Sequence, residues 1–400
     1  MEAKKTFSLF FLIIFLSVAF NQQSQVKGDL ERDYWPTNGW QYSSLKEANL
    51  NEARINEMFE YIEENNYDID SVLIVKNGNL TVEEYLNELY SFDTLHSVYS
   101  VTKSIVSALI GIAIEEGHIE SVDQKILDYF QDVSVLNVID KENITVEHLL
   151  THTSGIYWRE SQVPYSSPEN TFGKMTSSTN WVEFILNQTL EYEPGTVRNY
   201  NSGDSHLLSA ILTNATGVST QQYAIEHIFD PLGINRFEWQ QDPQGIFFGG
   251  SGLLLNSRSM AKFGFLYLNN GTWDENQLVP KEWVINSTKD PVVIDDWASY
   301  GYQWWVYPQV NSYLALGFGQ QIVWITPELD LVIVFTSSIF EGVWPFVTLA
   351  VDFIFQAIEE GFVEETISSF VFVILPITVI AYLILIRNRR KDKTKPLKIQ

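Results

Sequence analysis

The sequence predicts an α+β fold in which one antiparallel sheet, flanked by terminal helices, lies beside a helical lobe. Three observations predict this fold. Strand-like patterns occur near both ends of the chain, whereas residues 119–245 carry mostly helical patterns joined by polar loops. Amphipathic helical patterns precede the first strands and follow the last ones. A functional site is therefore expected in the cleft between the sheet and the helical lobe.

The first predicted elements are a helix and a β-hairpin. Apolar side chains recur at helical spacing over residues 51–64, which predicts an amphipathic helix. Residues 71–76 form an apolar run and are predicted to be a strand. Asn77 and Gly78 suit a tight hairpin turn, so residues 80–85 are predicted to be the returning strand.

The later elements follow the same two periodicities. A helix that is apolar on nearly every side is predicted over residues 104–114, which implies burial in a core. The further predictions are helices over residues 220–228, 257–268 and 344–360, and strands over residues 302–307, 321–325 and 331–336.

Ser100 and Lys103 form a Ser-x-x-Lys pattern at the start of the apolar helix. Three residues apart, their side chains share one face of the helix, and the N-terminus of a helix favours a developing anion. Burial lowers the pKa of a lysine and makes it a usable base. The pattern indicates a serine nucleophile activated by a lysine; the alternative is that Ser100 only caps the helix.

The same spacing also occurs at Ser24, Ser43 and Ser259, so the pattern alone is weak. Ser259 opens an amphipathic helix on which Lys262 is expected to point to water. Only Ser100 starts a helix that is apolar on nearly every side.

Composition restricts the classes of function. The 400 residues carry a net charge of −25, which excludes binding to nucleic acid through general electrostatics. The absence of cysteine excludes disulfides, cysteine catalysis and thiolate metal sites. His148 and His152 lie four residues apart, but the glutamate of a zinc-protease motif and a third ligand are missing. They are interpreted as structural histidines, and no metal or organic cofactor is expected.

Both ends of the chain predict targeting segments. Residues 7–20 are apolar and precede a small-residue cleavage pattern, so residues 1–27 are assigned to a signal peptide and leader. Residues 363–386 are predicted to be one transmembrane helix, because their apolar stretch is long enough to cross a bilayer. Seven basic residues follow within residues 387–400. The positive-inside rule then predicts a cytoplasmic tail at the cell membrane and an exterior domain over residues 28–362.

A series of motifs resembles one family in its order along the chain. They occupy residues 99–104, 117–123, 144–155, 192–195, 200–208 and 231–234. The most specific is His-Leu-Leu-Thr-His-Thr-Ser-Gly at 148–155. Together they resemble the serine β-lactamase-related superfamily, which includes class C β-lactamases, D-alanyl-D-alanine carboxypeptidases, esterases and 6-aminohexanoate-dimer hydrolases. The resemblance implies a fold similar to that of β-lactamases and penicillin-binding proteins, and Tyr-Asn-Ser-Gly-Asp at 200–204 is most similar to the aminohexanoate-dimer branch.

The resemblance also implies roles for single residues. Ser100 resembles the acylated nucleophile, Lys103 its activating partner, and Tyr200 the tyrosine that relays a proton to the leaving group. A phenol has a pKa near 10, and Lys103 is expected to lower that of Tyr200. Ser202 stands where the family often has asparagine; it keeps a hydrogen-bonding group but is expected to reach less far.

This chain departs further from the family at the third motif. The family carries Lys-Thr-Gly or His-x-Gly on a strand beside the cleft, whereas this chain has no cation over residues 316–321. Backbone N–H groups near Gly319 or Gln320, together with that of Ser100, are expected to form an oxyanion hole. Without the cation, efficient hydrolysis of β-lactams is not expected. Tyr302 or Trp305 is a candidate to line the cleft; the alternative is that Trp304 and Trp305 only pack in the sheet.

The sequence therefore predicts a membrane-anchored serine hydrolase that cleaves a small ester, amide or peptide through an acyl-enzyme on Ser100. One alternative is a β-lactamase-like exterior domain that binds ligands without catalysis. Another is a D-amino-acid peptidase that acts on cell-wall peptides, with the same chemistry and a different substrate.

Overall fold

The computed structural model describes residues 32–289, 291–295, 297–342 and 344–358. The described residues from Tyr34 onward form one compact unit. The strands are β1 (Ile69–Lys76), β2 (Asn79–Tyr85), β3 (His96–Ser97), β4 (Phe237–Trp239), β5 (Leu253–Leu255), β6 (Thr272–Trp273), β7 (Asn276–Gln277), β8 (Val292–Val293), β9 (Ser299–Tyr300), β10 (Trp305–Tyr307), β11 (Ser312–Gly317), β12 (Gln321–Thr326) and β13 (Leu331–Ser337).

The helices fall mainly between β2 and β8. They are α1 (Glu52–Glu64), α2 (Val101–Glu115), α3 (Val138–Lys141), α4 (Val146–Leu150), α5 (Thr171–Thr176), α6 (Trp181–Leu186), α7 (Ser202–Thr216), α8 (Thr220–Ala224), α9 (Asp230–Leu232), α10 (Ser257–Leu268), α11 (Lys281–Ser287) and α12 (Phe346–Thr348). A π-helical segment, Ile225–Phe229, joins α8 to α9, and a second one, Leu349–Phe355, continues α12.

The main sheet has eight strands in the order β2-β1-β13-β12-β11-β10-β9-β8, and neighbouring strands are antiparallel. A strand from the first part of the chain therefore pairs with the last strand, since β1 and β13 are neighbours near one edge of the sheet. A second sheet has the order β3-β5-β4, and its strand β3 comes shortly before the apolar helix α2 in the chain. This confirms the predicted antiparallel sheet with a helical lobe inserted between its strands.

Alternate side chains of the central strands enter two separate cores. In β1, Leu73 and Val75 pack into the core shared with α2 and α7, whereas Val72 and Ile74 pack into the core shared with α1 and the C-terminal helical segment. Side chains of a strand point alternately to the two faces of the sheet. A strand covered on both faces carries a nearly continuous apolar run, as β1 does over residues 72–75, and all of β1 is buried.

Two predicted elements differ from the structure. The predicted strand over residues 302–307 begins only at Trp305, because Tyr302 and Gln303 turn toward the helical lobe. The Tyr302 hydroxyl donates to Glu147 (2.6 Å), and the Gln303 N–H donates to the Leu150 carbonyl (3.1 Å). The predicted closing helix over residues 344–360 is replaced, within the described residues, by short α12 and its π-helical continuation.

The predicted signal peptide and leader, residues 1–27, and the predicted transmembrane helix, residues 363–386, lie outside the described residues. None of the helices in the described part of the chain combines the length and the apolar composition that crossing a membrane requires.

Candidate active site

Ser100 follows a sharp turn between β3 and α2. The Val98 N–H donates to the Leu253 carbonyl of β5 (3.0 Å), which fixes the chain just before the turn. Tyr99 then adopts a left-handed backbone conformation with φ 46°, which is rare for a bulky residue. Ser100 returns to helical angles and stands at the N-terminus of α2. Strained backbone of this kind is concentrated at functional sites.

Lys103 lies one helical turn after Ser100 and is 1% exposed. Its Nζ donates to Ser100 Oγ (3.0 Å), to Ser202 Oγ (3.0 Å) and to the Gly250 carbonyl (2.6 Å). Burial lowers the pKa of Lys103 to about 8, and the negative charge of Glu160 opposes that shift. The lysine is thus held against the predicted nucleophile in a state close to losing its proton.

Ser202 joins Lys103 to a buried carboxylate. The Ser202 hydroxyl donates to Glu160 Oε1 (2.7 Å), and the Ser202 N–H donates to Glu160 Oε2 (3.0 Å). The expected shorter reach of serine at this position does not separate it from Lys103, whose Nζ lies 3.0 Å away. A chain of hydrogen bonds therefore runs from Ser100 through Lys103 and Ser202 to Glu160.

Glu160 was not singled out by the sequence analysis. It is 2% exposed and accepts further hydrogen bonds from Trp158 Nε1 (2.7 Å) and the Tyr165 hydroxyl (3.1 Å). The sequence around it is a polar loop, where a glutamate ordinarily faces solvent. A tryptophan two residues before it is the one local signal that this loop packs inward.

Tyr200 precedes α7 and lies near the Ser100 side chain, which opposes the rise in its pKa. Its ring centroid lies 4.9 Å from Lys103 Nζ. The expectation that Lys103 lowers the pKa of this phenol is wrong: its pKa is raised, first by burial and then by the charge of Glu160. Tyr200 is therefore protonated at neutral pH and is able to donate a proton.

Asn201 lies between Tyr200 and Ser202 and caps the N-terminus of α7. Its side-chain oxygen accepts from the N–H groups of Gly203 (2.8 Å) and Asp204 (3.1 Å), which caps the helix. Its amide group donates to Asp204 Oδ1 (2.9 Å). The cap fixes the backbone on both sides of Asn201, and so it positions Tyr200 before the helix and Ser202 at its first residue.

Arg198 is a cation next to Tyr200 that sequence analysis also missed. Its guanidinium carbon lies 4.2 Å from the Tyr300 ring centroid, 5.1 Å from that of Trp305 and 5.8 Å from that of Tyr200. Two of its nitrogens, Nε and Nη2, are buried without a hydrogen-bond partner. Its charge lowers the pKa of Tyr200, though less than burial and Glu160 raise it.

His152 packs beside Tyr200, with 4.9 Å between the ring centroids. Its Nδ1 lies 3.7 Å from Asp204 Oδ2, and both side chains are fully buried. Burial, together with the charges of Arg198 and Lys103, lowers the pKa of His152 well below its ordinary value. Among the described residues, no three His, Cys, Asp or Glu side chains form a group that could hold a metal ion.

The predicted oxyanion residues Gly319 and Gln320 lie in the turn between β11 and β12, after the strand on which they were expected. The Gly319 carbonyl accepts from Ser337 Oγ (2.5 Å) and Gln321 Nε2 (3.2 Å). In a trans peptide the following N–H points the opposite way, so the Gln320 N–H is directed away from these two partners.

The end of β11 approaches the nucleophile closely because it ends in glycine. A Cβ on Gly317 would lie 2.3 Å from the Val98 carbonyl oxygen, two residues before Ser100. Pairing of β11 with β10 covers Ser312 to Leu314 only. The C-terminal end of β11 thus lies close to the turn before Ser100. Trp305 of the neighbouring strand β10 lies further from this end, opposite Leu314.

The structure brings Ser100, Lys103, Tyr200 and Ser202 into one cluster. Trp305 is connected to this cluster through Arg198, which contacts both aromatic rings. Chemically, the cluster offers a hydroxyl, a nearby amine with a lowered pKa and a protonated phenol, which is the set required for acyl transfer.

Comparison with known proteins shows to which family this chain belongs. The family model described as Beta-lactamase matches residues 60–351, which is more than half of the chain. The chain therefore belongs to the beta-lactamase family, as its motifs predicted. This is a family of serine hydrolases that includes amidases, esterases and peptidases.

Individual relatives are distant. The chain is 24% identical over 307 residues to 6-aminohexanoate-dimer hydrolase of Paenarthrobacter ureafaciens, an alignment that covers 69% of this chain and 73% of that protein. A structure from Bacillus anthracis, provisionally assigned as a 6-aminohexanoate-dimer hydrolase, matches with a TM-score of 0.67 and 22% identity, covering 82% of this chain and 87% of that one. EstCE1, a hydrolase with promiscuous acyltransferase activity, matches with a TM-score of 0.64 and 16% identity, covering 76% and 97%. These structural matches show a shared fold.

Proposed function

We propose that this chain is a serine hydrolase that cleaves an ester or amide bond through an acyl-enzyme on Ser100. The observation that carries the proposal is the contact of 3.0 Å between Lys103 Nζ and Ser100 Oγ, in a site that lowers the lysine pKa to about 8. A lysine with that pKa is partly neutral at physiological pH, and a neutral amine accepts the proton of a serine as the serine attacks.

In the first step, Ser100 Oγ attacks the substrate carbonyl carbon and its proton moves to Lys103 Nζ. Ser202 and Glu160 stabilise the resulting ammonium through the hydrogen-bond chain described above. The N–H groups of Ser100 and Gln320 are assigned to the negative oxygen of the tetrahedral intermediate.

In the second step, the bond to the leaving group breaks and Tyr200 donates its phenolic proton to that group. The phenolate regains a proton from the Lys103 ammonium, so the amine is neutral again. Water then attacks the acyl-enzyme by the reverse route, with Lys103 accepting its proton, and releases the acid. Because its pKa is raised, Tyr200 keeps its proton at neutral pH and releases it only as negative charge develops on the leaving group.

The substrate is proposed to be an ester or an amide without a β-lactam ring. Residues 316–321, from the end of β11 through the turn to the first residue of β12, supply no cation for a penicillin carboxylate. The Paenarthrobacter ureafaciens relative is named as an aminohexanoate-dimer hydrolase, and EstCE1 is named as a hydrolase with acyltransferase activity. Both names support acyl transfer from a simple carbonyl compound.

Covalent labelling of the purified full-length chain with a fluorophosphonate probe tests the proposal. Label is expected on Ser100 in the wild type, and none in Ser100→Ala or Lys103→Ala, with the modified peptide located by mass spectrometry.

The chain supplies its own matched control in another Ser-x-x-Lys pair, Ser259 and Lys262. Lys262 does not point to water as expected: it is buried, and its Nζ donates to the carbonyls of Thr37, Leu232 and Gly233. Burial also lowers its pKa to about 8. Ser259→Ala and Lys262→Met should keep the label on Ser100. Folded wild-type protein without label would instead favour a domain that binds ligands without catalysis.

The proposed location is the outer side of a cell membrane, with one C-terminal span and a cytoplasmic tail. Its support is the apolar stretch of residues 367–386, followed at once by basic residues. The expected result is that the chain stays in the membrane fraction at alkaline pH and that external protease removes the Ser100 domain from intact cells. Extraction of the chain by alkaline buffer would contradict the span.

A further inference from the structure

Four aromatic rings from four separate segments meet beside Ser100. Tyr99 precedes the nucleophile, Tyr165 lies in the loop of Glu160, Phe318 lies in the turn between β11 and β12, and Phe340 follows β13. The ring centroids are 5.7 Å apart for Tyr99 and Phe318, 5.2 Å for Tyr165 and Phe318, and 5.3 Å for Phe318 and Phe340. We call this group the aromatic rim.

The aromatic rim is unusually exposed for a contiguous group of large side chains. The exposed fractions are 42% for Phe318, 45% for Tyr165 and 46% for Phe340. Single exposed apolar residues are ordinary, but contiguous exposed rings mark a binding surface. The rim is also preformed, because the Tyr165 hydroxyl donates to Glu160 Oε1 (3.1 Å) and fixes its ring.

Two covalent connections place the rim next to the reacting atoms. Tyr99 is bonded to Ser100, and Phe318 is bonded to Gly319 in the turn assigned to the oxyanion. Tyr200, the proposed donor to the leaving group, belongs to a second group of rings with His152 and Tyr300. Since the leaving group must face Tyr200, the acyl group of the substrate is the part that remains to contact the rim.

We propose that the aromatic rim is the acyl-binding subsite and that it selects apolar acyl groups, namely aliphatic chains of several carbons or aryl groups. This inference rests on the proposed function, because it assigns a part of the acyl-enzyme to the rim. Apolar surface of the acyl group leaves water when this group lies across the rings, which favours binding. An acetyl group is too short to reach the rings, so it lacks this favourable free energy.

The test compares p-nitrophenyl acetate, butyrate and octanoate on the purified full-length chain. Complete burial of one methylene group strengthens binding by about fourfold. The aromatic rim is half-exposed, so each methylene is expected to contribute only part of that factor. The ratio of kcat/KM for octanoate to that for acetate should exceed about tenfold in the wild type. Phe318→Ala and Phe340→Ala should each lower this ratio several-fold, mainly through KM. Phe318→Leu, which keeps apolar surface, should retain most of it.

Ile139→Ala is the matched control, because Ile139 is an 80% exposed apolar residue on α3, outside the rim. The control should leave the ratio unchanged. Equal kcat/KM for the three esters in the wild type, or an unchanged ratio in both phenylalanine variants, overturns the subsite while leaving the hydrolase intact. A wild type that neither hydrolyses any ester nor reacts with the fluorophosphonate probe overturns the proposed function and the subsite with it.

Discussion

The protonation state of Lys103 sets the rate of the proposed reaction. Because only the neutral amine accepts the Ser100 proton, and the pKa of Lys103 is about 8, kcat/KM is expected to rise about tenfold per pH unit below that value and to level off above it. A pH–rate profile with a p-nitrophenyl ester measures this. A flat profile between pH 6 and 9 would be inconsistent with a lysine base.

Lys103→Arg separates the charge of this residue from its basicity. A guanidinium keeps the positive charge but stays protonated in proteins, so it cannot accept the serine proton. The loss in kcat is expected to be about 10²- to 10⁴-fold, the usual contribution of a general base. Activity near that of the wild type in the arginine variant would mean that the charge alone suffices.

Glu160→Gln tests the carboxylate that sequence analysis missed. The charge of Glu160 raises the pKa of Lys103, so its removal should shift the rise in kcat/KM to a pH below about 8. A purely structural role would lower activity without moving that midpoint. Glu191→Gln, an exposed acid in the same lobe, is the control and should reproduce the wild-type profile.

At the scale of elements, the close approach of β11 to Ser100 depends on Gly317. A Cβ there would lie 2.3 Å from the Val98 carbonyl oxygen, so Gly317→Ala should push the strand from the turn before Ser100. The expected result is slower labelling of Ser100 and a loss of about 1–3 kcal/mol in the free energy of unfolding.

Gly173→Ala provides the comparison for that variant. Gly173 lies in α5, and the nearest atom to an added Cβ is 3.8 Å away. Alanine is favoured over glycine within a helix, so this variant should match or exceed wild-type stability. Equal effects of the two substitutions would show that the contact at Val98 is unimportant.

The elements that sequence analysis predicted well are those with a strong local period. The hairpin has an apolar run in β1 before the Asn-Gly turn, and in β2 after it Leu80 and Val82 alternate with polar residues. The helix α10 matches the predicted residues 257–268. The predicted strand over residues 302–307 was too long, because its first two residues bond outside the sheet. Trp304 and Trp305 pack in or beside the sheet, whereas Tyr302 and Gln303 bond to the helical lobe.

At the scale of the molecule, the sheet joins both ends of the chain and supports the site between them. Ile333 of β13 is fully buried and pairs with Ile74 of β1 and Trp324 of β12. Ile333→Ala should lower the free energy of unfolding by about 2–5 kcal/mol. Urea titration followed by tryptophan fluorescence and by Ser100 labelling measures this, and the two probes should lose signal together.

Val293→Ala is the control for that prediction, since Val293 is 70% exposed on the edge strand β8. Its effect should stay within about 0.5 kcal/mol. If Ser100 labelling were lost at a lower urea concentration than fluorescence, the site would unfold separately from the sheet.

The candidate site shows where sequence reasoning stops. Ser100 and Lys103 are neighbours on one helix, so their contact follows from local geometry, and the motifs implied Tyr200 and Ser202. The contact of Ser202 with Glu160 joins residues 42 positions apart, and no periodicity announces it. Arg198 was missed for the same reason. The sign of the pKa shift at Tyr200 was wrong because it depends on burial and on that unforeseen carboxylate.

Burying Lys103 lowers the stability of the fold, and this cost bears on how selection keeps the residue. A lysine whose pKa falls on folding makes the protonated fold less stable than the same fold with an apolar residue in its place. Most residues in a core favour both folding and function, whereas here the two conflict. A lineage that lost catalysis would gain stability by replacing Lys103, for example with methionine. Burial alone does not mark a catalytic lysine, because Lys262 is also buried with a pKa of about 8. What sets Lys103 apart is the contact of its Nζ with Ser100 Oγ (3.0 Å).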